Sequence, residues 1–504
     1  MVKRFLLAYS LKNVIIKRII KVVVHLYVGD IMRNISNTSR LNTKYVYRFF
    51  CAAILTAIAT CIFANSWYNF VADNNTTGSL LGAGNLLMAV GIYMVIYLLL
   101  GKWLHAFTIG VERKSNIMAG QVLTIFTAAF AELPLSCAIT GQFRLFFPFL
   151  SLYTSMFFIQ VLVICFFTFV MVDVYRITFP PLQLVEVYGD RRDDIGFKIA
   201  TLHYKYELGG SVSSAEDDKT IKEILRKYDA ALLGDLPAPD RNRLIKLCFD
   251  MNKRVYYVPK ISDIMVKNSQ ELNLIDTPLF LNKNNGMGPL RRFVKRAFDL
   301  TLSLFAALVL SPIMLVTALL IHLEDGGPVF FKQERVTFGG KRFMILKFRS
   351  MIVDAEKDGR PHPAGEKDDR ITKVGHFIRP TRIDELPQLL NIISGDMSIV
   401  GPRPERWEHV EKYSEDIPEF AYRLKVKGGL TGYAQVYGKY NTTALDKLKL
   451  DLLYITNYSF LLDLQIIFQT VKILFVKEST EGFSEELSKK MHDAKLMESK
   501  GERS

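Results

Sequence analysis

Cysteine is scarce: five residues in a chain of 504, with no C-x-x-C pair. Cys51, Cys61, Cys137 and Cys165 fall in apolar stretches and Cys248 stands alone in a polar one, so neither a zinc site nor a disulfide framework is indicated. The eight histidines are scattered without an H-x-x-x-H pair, which argues against a histidine metal centre. Acidic residues are in deficit, 50 against 64 Lys and Arg, leaving a net charge of +14. Combined with long apolar runs, that excess suits anionic lipid headgroups or phosphorylated substrates and argues against nucleic acid as a partner.

Charge is rarest before residue 175. Four runs there approach or exceed the ~20 apolar residues needed to cross a bilayer: Val46–Ala64, Leu80–Leu100, Ile117–Ile139 and Leu145–Val172. The loop from Asn65 to Ser79 has no Lys or Arg, whereas the segment before Val46 carries many, and Lys102, Arg113 and Lys114 follow the second run. Because cationic loops stay cytoplasmic, both ends of this bundle are expected on the cytoplasmic side. Residues 1–45 form a basic lead-in, in which Val14–Val24 alternates apolar runs with cations as an interfacial helix does. An alternative native start at Met32 stays open. Glu132 and Pro134 inside the third run raise a transport reading, set against a structural one in which the carboxylate faces a neighbouring helix.

From residue 180 to 285 the pattern alternates strand and helix. Leu184–Tyr188, Ala230–Gly234 and Arg254–Val258 read as strands, and Asp240–Asn252 as a helix, which predicts a parallel, doubly wound sheet. What this domain lacks is the glycine-rich loop of dinucleotide binders: its first strand runs into Gly189-Asp-Arg-Arg192. A structural or regulatory module is therefore expected over a nucleotide-binding one.

Another apolar island covers about 298–323. Cations flank it on both sides, from Arg291 to Arg296 and from Lys332 to Arg342, and Ser311-Pro312 interrupts its middle. Cytoplasmic flanks and a mid-helix proline predict a helix that enters one leaflet and returns, over the alternative of a kinked fifth span.

The region beyond it is rich in phosphate-binding chemistry. Lys347-Phe-Arg-Ser-Met351 alternates two cations with apolar residues, and Arg379, Arg382 and Arg403 offer planar guanidinium groups suited to phosphate oxygens. Arg403 stands between Pro402 and Pro404, a rigid setting. Asp384-Glu385-Leu-Pro-Gln-Leu-Leu-Asn391 places two carboxylates beside Pro387, which fits a helix start running through Ile392. Adjacent residues on a helix point ~100° apart, so the pair suits two jobs, attack at phosphorus and ligation of a divalent cation.

These motifs, in order with Lys295-Arg296, Asp299, Gln333-Glu-Arg335, Gly395-Asp-Met-Ser398, Val400-Gly-Pro-Arg-Pro-Glu405, Leu430-Thr-Gly-Tyr-Ala-Gln-Val436 and Asp463-Leu, resemble the monotopic phosphoglycosyl transferases of the bacterial sugar transferase family. The four spans and Rossmann-like domain resemble its longer members. The resemblance implies a membrane protein of α plus α/β class: a bundle at 46–176, an α/β domain at 180–285, a mostly helical catalytic domain with a re-entrant helix at 291–480, and a polar tail at 481–504. It implies transfer of a sugar 1-phosphate from a UDP-sugar to undecaprenyl phosphate at the cytoplasmic face of the bacterial inner membrane, with release of UMP. Membrane lipids and a homodimer partner join the expected associations. Asp384 is then the covalent nucleophile and Glu385 the Mg2+ ligand. Lys347, Arg349, Arg379 and Arg403 bind phosphate, and Gln333, Arg335, Pro402, Pro404 and Asp451 support them. Two departures stand out: Thr337 where the family often has Gly, and Gly428 where Pro usually precedes Gly429. A membrane-anchored nucleotide-sugar oxidoreductase and a non-catalytic scaffold are the competing readings.

Overall fold

A computed structural model describes residues 37–74, 83–189, 194–282, 287–353, 368–439 and 442–475. The basic lead-in before residue 37, the Asp190–Arg192 stretch and the tail after 475 lie outside the described residues. The chain divides between Val258 and Pro259 into two compact units.

The first unit begins with four helices, α1 (Asn37–Asp73), α2 (Ala83–Trp103), α3 (Lys114–Thr140) and α4 (Phe146–Thr178), all long and apolar enough to cross a membrane. Helices α1, α3 and α4 outlast the apolar runs read from the sequence, because polar residues at the ends continue the helix, whereas α2 matches its run in length but is shifted three residues toward the C-terminus. Apolar side chains cover the outside, Phe130 and Phe147 among them, as expected where lipid is the solvent. The few polar groups inside are mostly paired. Tyr93 donates to Gln160 at 3.0 Å, Gln160 donates to the Ala59 carbonyl at 2.8 Å, and Trp67 donates to Ser136 at 3.0 Å. Glu132 is fully buried within the bundle with no hydrogen-bond partner among the described residues, and α3 continues through Pro134 to Thr140.

A parallel sheet follows in the order β2-β1-β3-β4, built from β1 (Leu182–Tyr188), β2 (Tyr206–Ser213), β3 (Ala230–Leu233) and β4 (Arg254–Tyr257). Between them run α5 (Ile195–Ala200), α6 (Asp218–Arg226) and α7 (Ala238–Asp250). Val185, Val187, Ala231, Leu233 and Leu244 form the core, the alternating αβ arrangement that the pattern predicts. The sequence reading missed β2, whose Gly209-Gly210 breaks the strand pattern. Both glycines lie under Tyr228, where an added Cβ would come within 2.5–2.6 Å of its ring or hydroxyl.

In the second unit, α8 (Ile261–Val266) precedes the hairpin of β5 (Gln270–Leu274) and β6 (Thr277–Leu281). The α/β domain was expected to run to 285. Instead Ile264 packs with Val410, Phe420, Leu448 and Leu452, so residues 259–281 go with the C-terminal unit. Helix α9 (Pro289–Asp325) is also long and apolar enough to span a membrane, and only 11% of its apolar window is covered by protein. It stays helical through Ser311-Pro312, and the Ser311 hydroxyl donates to the Leu308 carbonyl at 2.7 Å. An antiparallel hairpin of β7 (Phe330–Val336) and β8 (Arg342–Phe348) comes next, then α10 (Lys373–Ile378), α11 (Gln388–Ser394), β9 (Ser398–Val400), α12 (Trp407–Asp416), β10 (Gly429–Thr431), α13 (Tyr433–Tyr437), α14 (Ala444–Thr456) and α15 (Phe460–Phe475). Their shared core includes Ile345, Leu389, Ile392, Val400, Tyr454 and Ile466.

Candidate active site

Around Asp384 the chain departs from the single helix start expected at Pro387. A separate 3₁₀ turn covers Ile383–Glu385, and the α-helix begins only at Gln388, after Pro387, which has no N–H for a continuous ladder. Arg382, before the turn, holds the left-handed conformation (φ 57°, ψ 17°), unusual for a residue with a Cβ and stored most often at functional sites.

That geometry turns Glu385 into a cluster of cations. Its Oε1 accepts from Lys347 Nζ at 3.1 Å and Arg403 Nη2 at 3.0 Å, and Arg382 Nη1 lies 3.6 Å from Oε2. Burial opposes ionisation of Glu385, but Arg403, Lys347 and Arg382 outweigh it and hold the carboxyl at about 2. Asp384 behaves oppositely. Burial, reinforced by the neighbouring Glu385 charge, pushes it up to about 6 against the pull of Lys347, Arg382 and Arg379. Its Oδ1 is buried without a hydrogen-bond partner among the described residues. One carboxylate is thus clamped and ionised, while the other keeps an oxygen free.

Three strands of support fix this geometry. Lys347 lies on β8 opposite Phe331, and Gln333 and Arg335 on β7 face Ile345 and Phe343, so strand alternation puts Gln333, Arg335 and Lys347 on one face. Arg335 in turn donates to Gln333. Asn391 joins α11 to β8: its Oδ1 accepts from Leu346 N at 2.9 Å and its Nδ2 donates to the Met344 carbonyl at 2.9 Å. The amide replaces a missing strand and sets the acidic turn against Lys347. Arg403 is held through its backbone, since Gly429 N donates to the Pro402 carbonyl at 2.9 Å and Arg423 donates to the Arg403 carbonyl at 3.0 Å. Asp451 secures Arg423 at 2.6 Å, a buried link behind the site. The backbones of β9 and β10 approach so closely that a Cβ on Gly429 would reach within 2.1 Å of Gly401 N.

Helix α9 anchors the rest. Arg296 donates to the Ile392 and Ile393 carbonyls at 2.6 and 2.8 Å, capping α11, and Asp299 accepts from Ser398 Oγ at 2.8 Å and Ile399 N at 3.2 Å. Lys295 pairs with Asp463 at 2.7 Å. The sequence singled out these residues as motif but not their task, which is to tie the apolar helix to the acidic turn.

Not every expected phosphate ligand meets Glu385. Arg349 is buried, paired with Asp325 at the end of α9, and its Nε and Nη1 have no partner among the described residues. Arg379 is half-buried after α10 and acts on Asp384 through charge alone. Arg382 belongs in the cluster, and its backbone conformation could not be seen in the sequence. Among the described residues no group of three or more His, Cys, Asp or Glu converges to hold a metal. A divalent ion here would take most ligands from substrate phosphates and water, with ionised Glu385 as the protein's donor through Oε2, its less committed oxygen.

The bacterial sugar transferase family profile matches residues 290–477. An uncharacterized sugar transferase, EpsL, of Bacillus subtilis (strain 168) is 42% identical over 188 residues, covering 37% of this chain and 90% of that protein. This chain belongs to the bacterial sugar transferase family. A UDP-N-acetylgalactosamine-undecaprenyl-phosphate N-acetylgalactosaminephosphotransferase of Aeromonas hydrophila is 38% identical, over 49% of this chain and 59% of its own length. A UDP-glucose:undecaprenyl-phosphate glucose-1-phosphate transferase of Klebsiella pneumoniae is 36% identical, over 59% of this chain and 66% of its own.

The two departures from the sugar transferase pattern turn out to be partners. Gly428 N donates to Thr337 Oγ1 at 3.1 Å, and Thr337 Oγ1 donates to the Asp396 carbonyl at 2.9 Å. A proline at 428 could not make the first bond, and a glycine at 337 could not accept it. Both changes thus serve one contact.

Proposed function

We propose that this chain transfers a sugar 1-phosphate from a UDP-sugar to undecaprenyl phosphate through a covalent intermediate on Asp384. The observation that carries the reading is the unpartnered Asp384 Oδ1 beside a Glu385 clamped by three cations. Oδ1 attacks the phosphorus that bears the sugar, the bond to the UMP oxygen breaks, and UMP leaves with that electron pair. The phosphate oxygen of undecaprenyl phosphate then attacks the same phosphorus and the aspartyl oxygen leaves, restoring Asp384. Two displacements need only one substrate aligned at a time. Lys347, Arg382 and Arg403 offset the repulsion between carboxylate and diphosphate. Mg2+, when bound through Glu385 and the substrate phosphates, supplies further neutralisation of the leaving diphosphate charge. Helix α9 is taken as re-entrant, which keeps the catalytic unit on the cytoplasmic face of the inner membrane and brings the acceptor lipid to α11.

The test is direct. Membranes containing the protein, given a panel of UDP-sugars and undecaprenyl phosphate, should yield one lipid-linked sugar diphosphate and an equal amount of UMP. Formation of a UDP by-product with a single phosphate on the lipid would contradict the reaction class.

A further inference from the structure

The first unit contains a second site-like feature that the transfer reaction does not use. A cavity of about 290 Å³ opens where the bundle meets the sheet. Its walls come from the start of α1, the loop after α2, the end of α4 and the N-terminal edge of the sheet. Doubly wound sheets ordinarily take ligands at the opposite, C-terminal edge, so the fold alone does not account for this opening.

Its lining is chemically one-sided. Lys44, Arg48, Lys205 and Arg254 all face it, with five tyrosines and no acidic residue. Arg48 is locked in place, donating from Nε to the Ile109 carbonyl at 2.8 Å and from Nη2 to Tyr175 at 3.1 Å. Among the described residues the Lys205 and Arg254 side chains make no hydrogen bond or ion pair, and Lys205 Nζ rests 4.8 Å from the Tyr206 ring centre. Tyr206 and Tyr256 stand edge to face, 5.5 Å apart. Burial and the neighbouring Arg48 both pull the Lys205 pKa down, with Tyr256 and Glu112 acting the other way. Gathering like charges around a half-enclosed space costs energy that a bound anion returns.

We propose that this cavity binds a phosphate ester, with Lys205 and Arg254 on the phosphate and Tyr206 and Tyr256 beside the group that carries it. The shared chemistry has two sources, an anionic phospholipid headgroup at the level where α1 begins and α4 ends, or a soluble nucleotide.

The experiment uses the full chain in phosphatidylcholine nanodiscs, with phosphatidylglycerol and AMP as separate probes, read by native mass spectrometry and melting temperature. At least one probe should bind, raise the wild-type melting temperature, and lose about tenfold or more in affinity in Lys205→Gln/Arg254→Gln, two charge-assisted contacts being removed. Lys205→Arg/Arg254→Lys should retain most binding. A response to phosphatidylglycerol alone assigns the lipid source, and one to AMP alone the soluble source. Binding of both probes unchanged within twofold in the double variant overturns the site. Should the double variant not fold, the absence of any wild-type melting shift with either probe overturns it equally.

Discussion

At the scale of single residues, the site turns on the opposite fates of two adjacent carboxylates. Asp384, pushed up to about 6, is protonated below that pH and ionised above it. On the proposed mechanism only the ionised form attacks phosphorus, so the rate of the first displacement should rise with pH and level off above an apparent pKa near 6, as single-turnover release of UMP will show. The same shift has a cost. A carboxyl raised above its unfolded value of 3.8 loses stability as pH rises through about 6. Asp384→Asn should therefore abolish turnover yet melt higher than wild type at pH 7.5, by about 1–3 kcal/mol in unfolding free energy. Asp384, Glu385, Lys347 and Arg403 were all legible in the sequence, since residue type and order suffice for acids and cations. Arg382 and Asn391 were not given their tasks there. One acts through a backbone angle, and the other through main-chain partners on β8, 45 and 47 residues before it.

Among elements, the apolar helices could be read because lipid demands unbroken apolar runs, although their polar ends could not. The parallel sheet was legible from three of its four strands, while β2 hid behind two glycines whose reason is the ring of Tyr228. The join between β8 and α11 rests on one side-chain amide. Asn391→Ala leaves Leu346 N and the Met344 carbonyl without that partner, which should cost about 1–3 kcal/mol of stability by denaturant melting. It should also slow turnover beyond that loss by loosening Glu385 from Lys347. A destabilised variant with undiminished turnover would show that the join is only structural. Thr337 and Gly428 make a similar test. Thr337→Val strands Gly428 N, and a double-mutant cycle with Gly428→Pro should show coupling of about 0.5–3 kcal/mol, because the second change removes the same bond.

For the molecule as a whole, the proposed reaction requires one site to serve a soluble donor and a lipid acceptor. Helix α9 stays helical through Pro312, so the proposed re-entrant course rests on its flanks, which are cationic on both sides. Cysteines placed near Lys341 and near Tyr437 should react with an impermeant thiol reagent only after the inner membrane is opened; labelling in intact cells would place the catalytic unit outside. The proposal that a cytoplasmic site holds the sugar phosphate on Asp384 lets it meet its two substrates in turn, and this is the claim most exposed to test. Incubated with a UDP-sugar labelled in the sugar phosphate and no lipid, the wild-type protein should keep up to one label per chain and release one UMP for each. Adding undecaprenyl phosphate should then move the label to lipid, and Asp384→Asn should never carry it. Release of UMP only when undecaprenyl phosphate is present, with no label ever on the protein, would contradict the account.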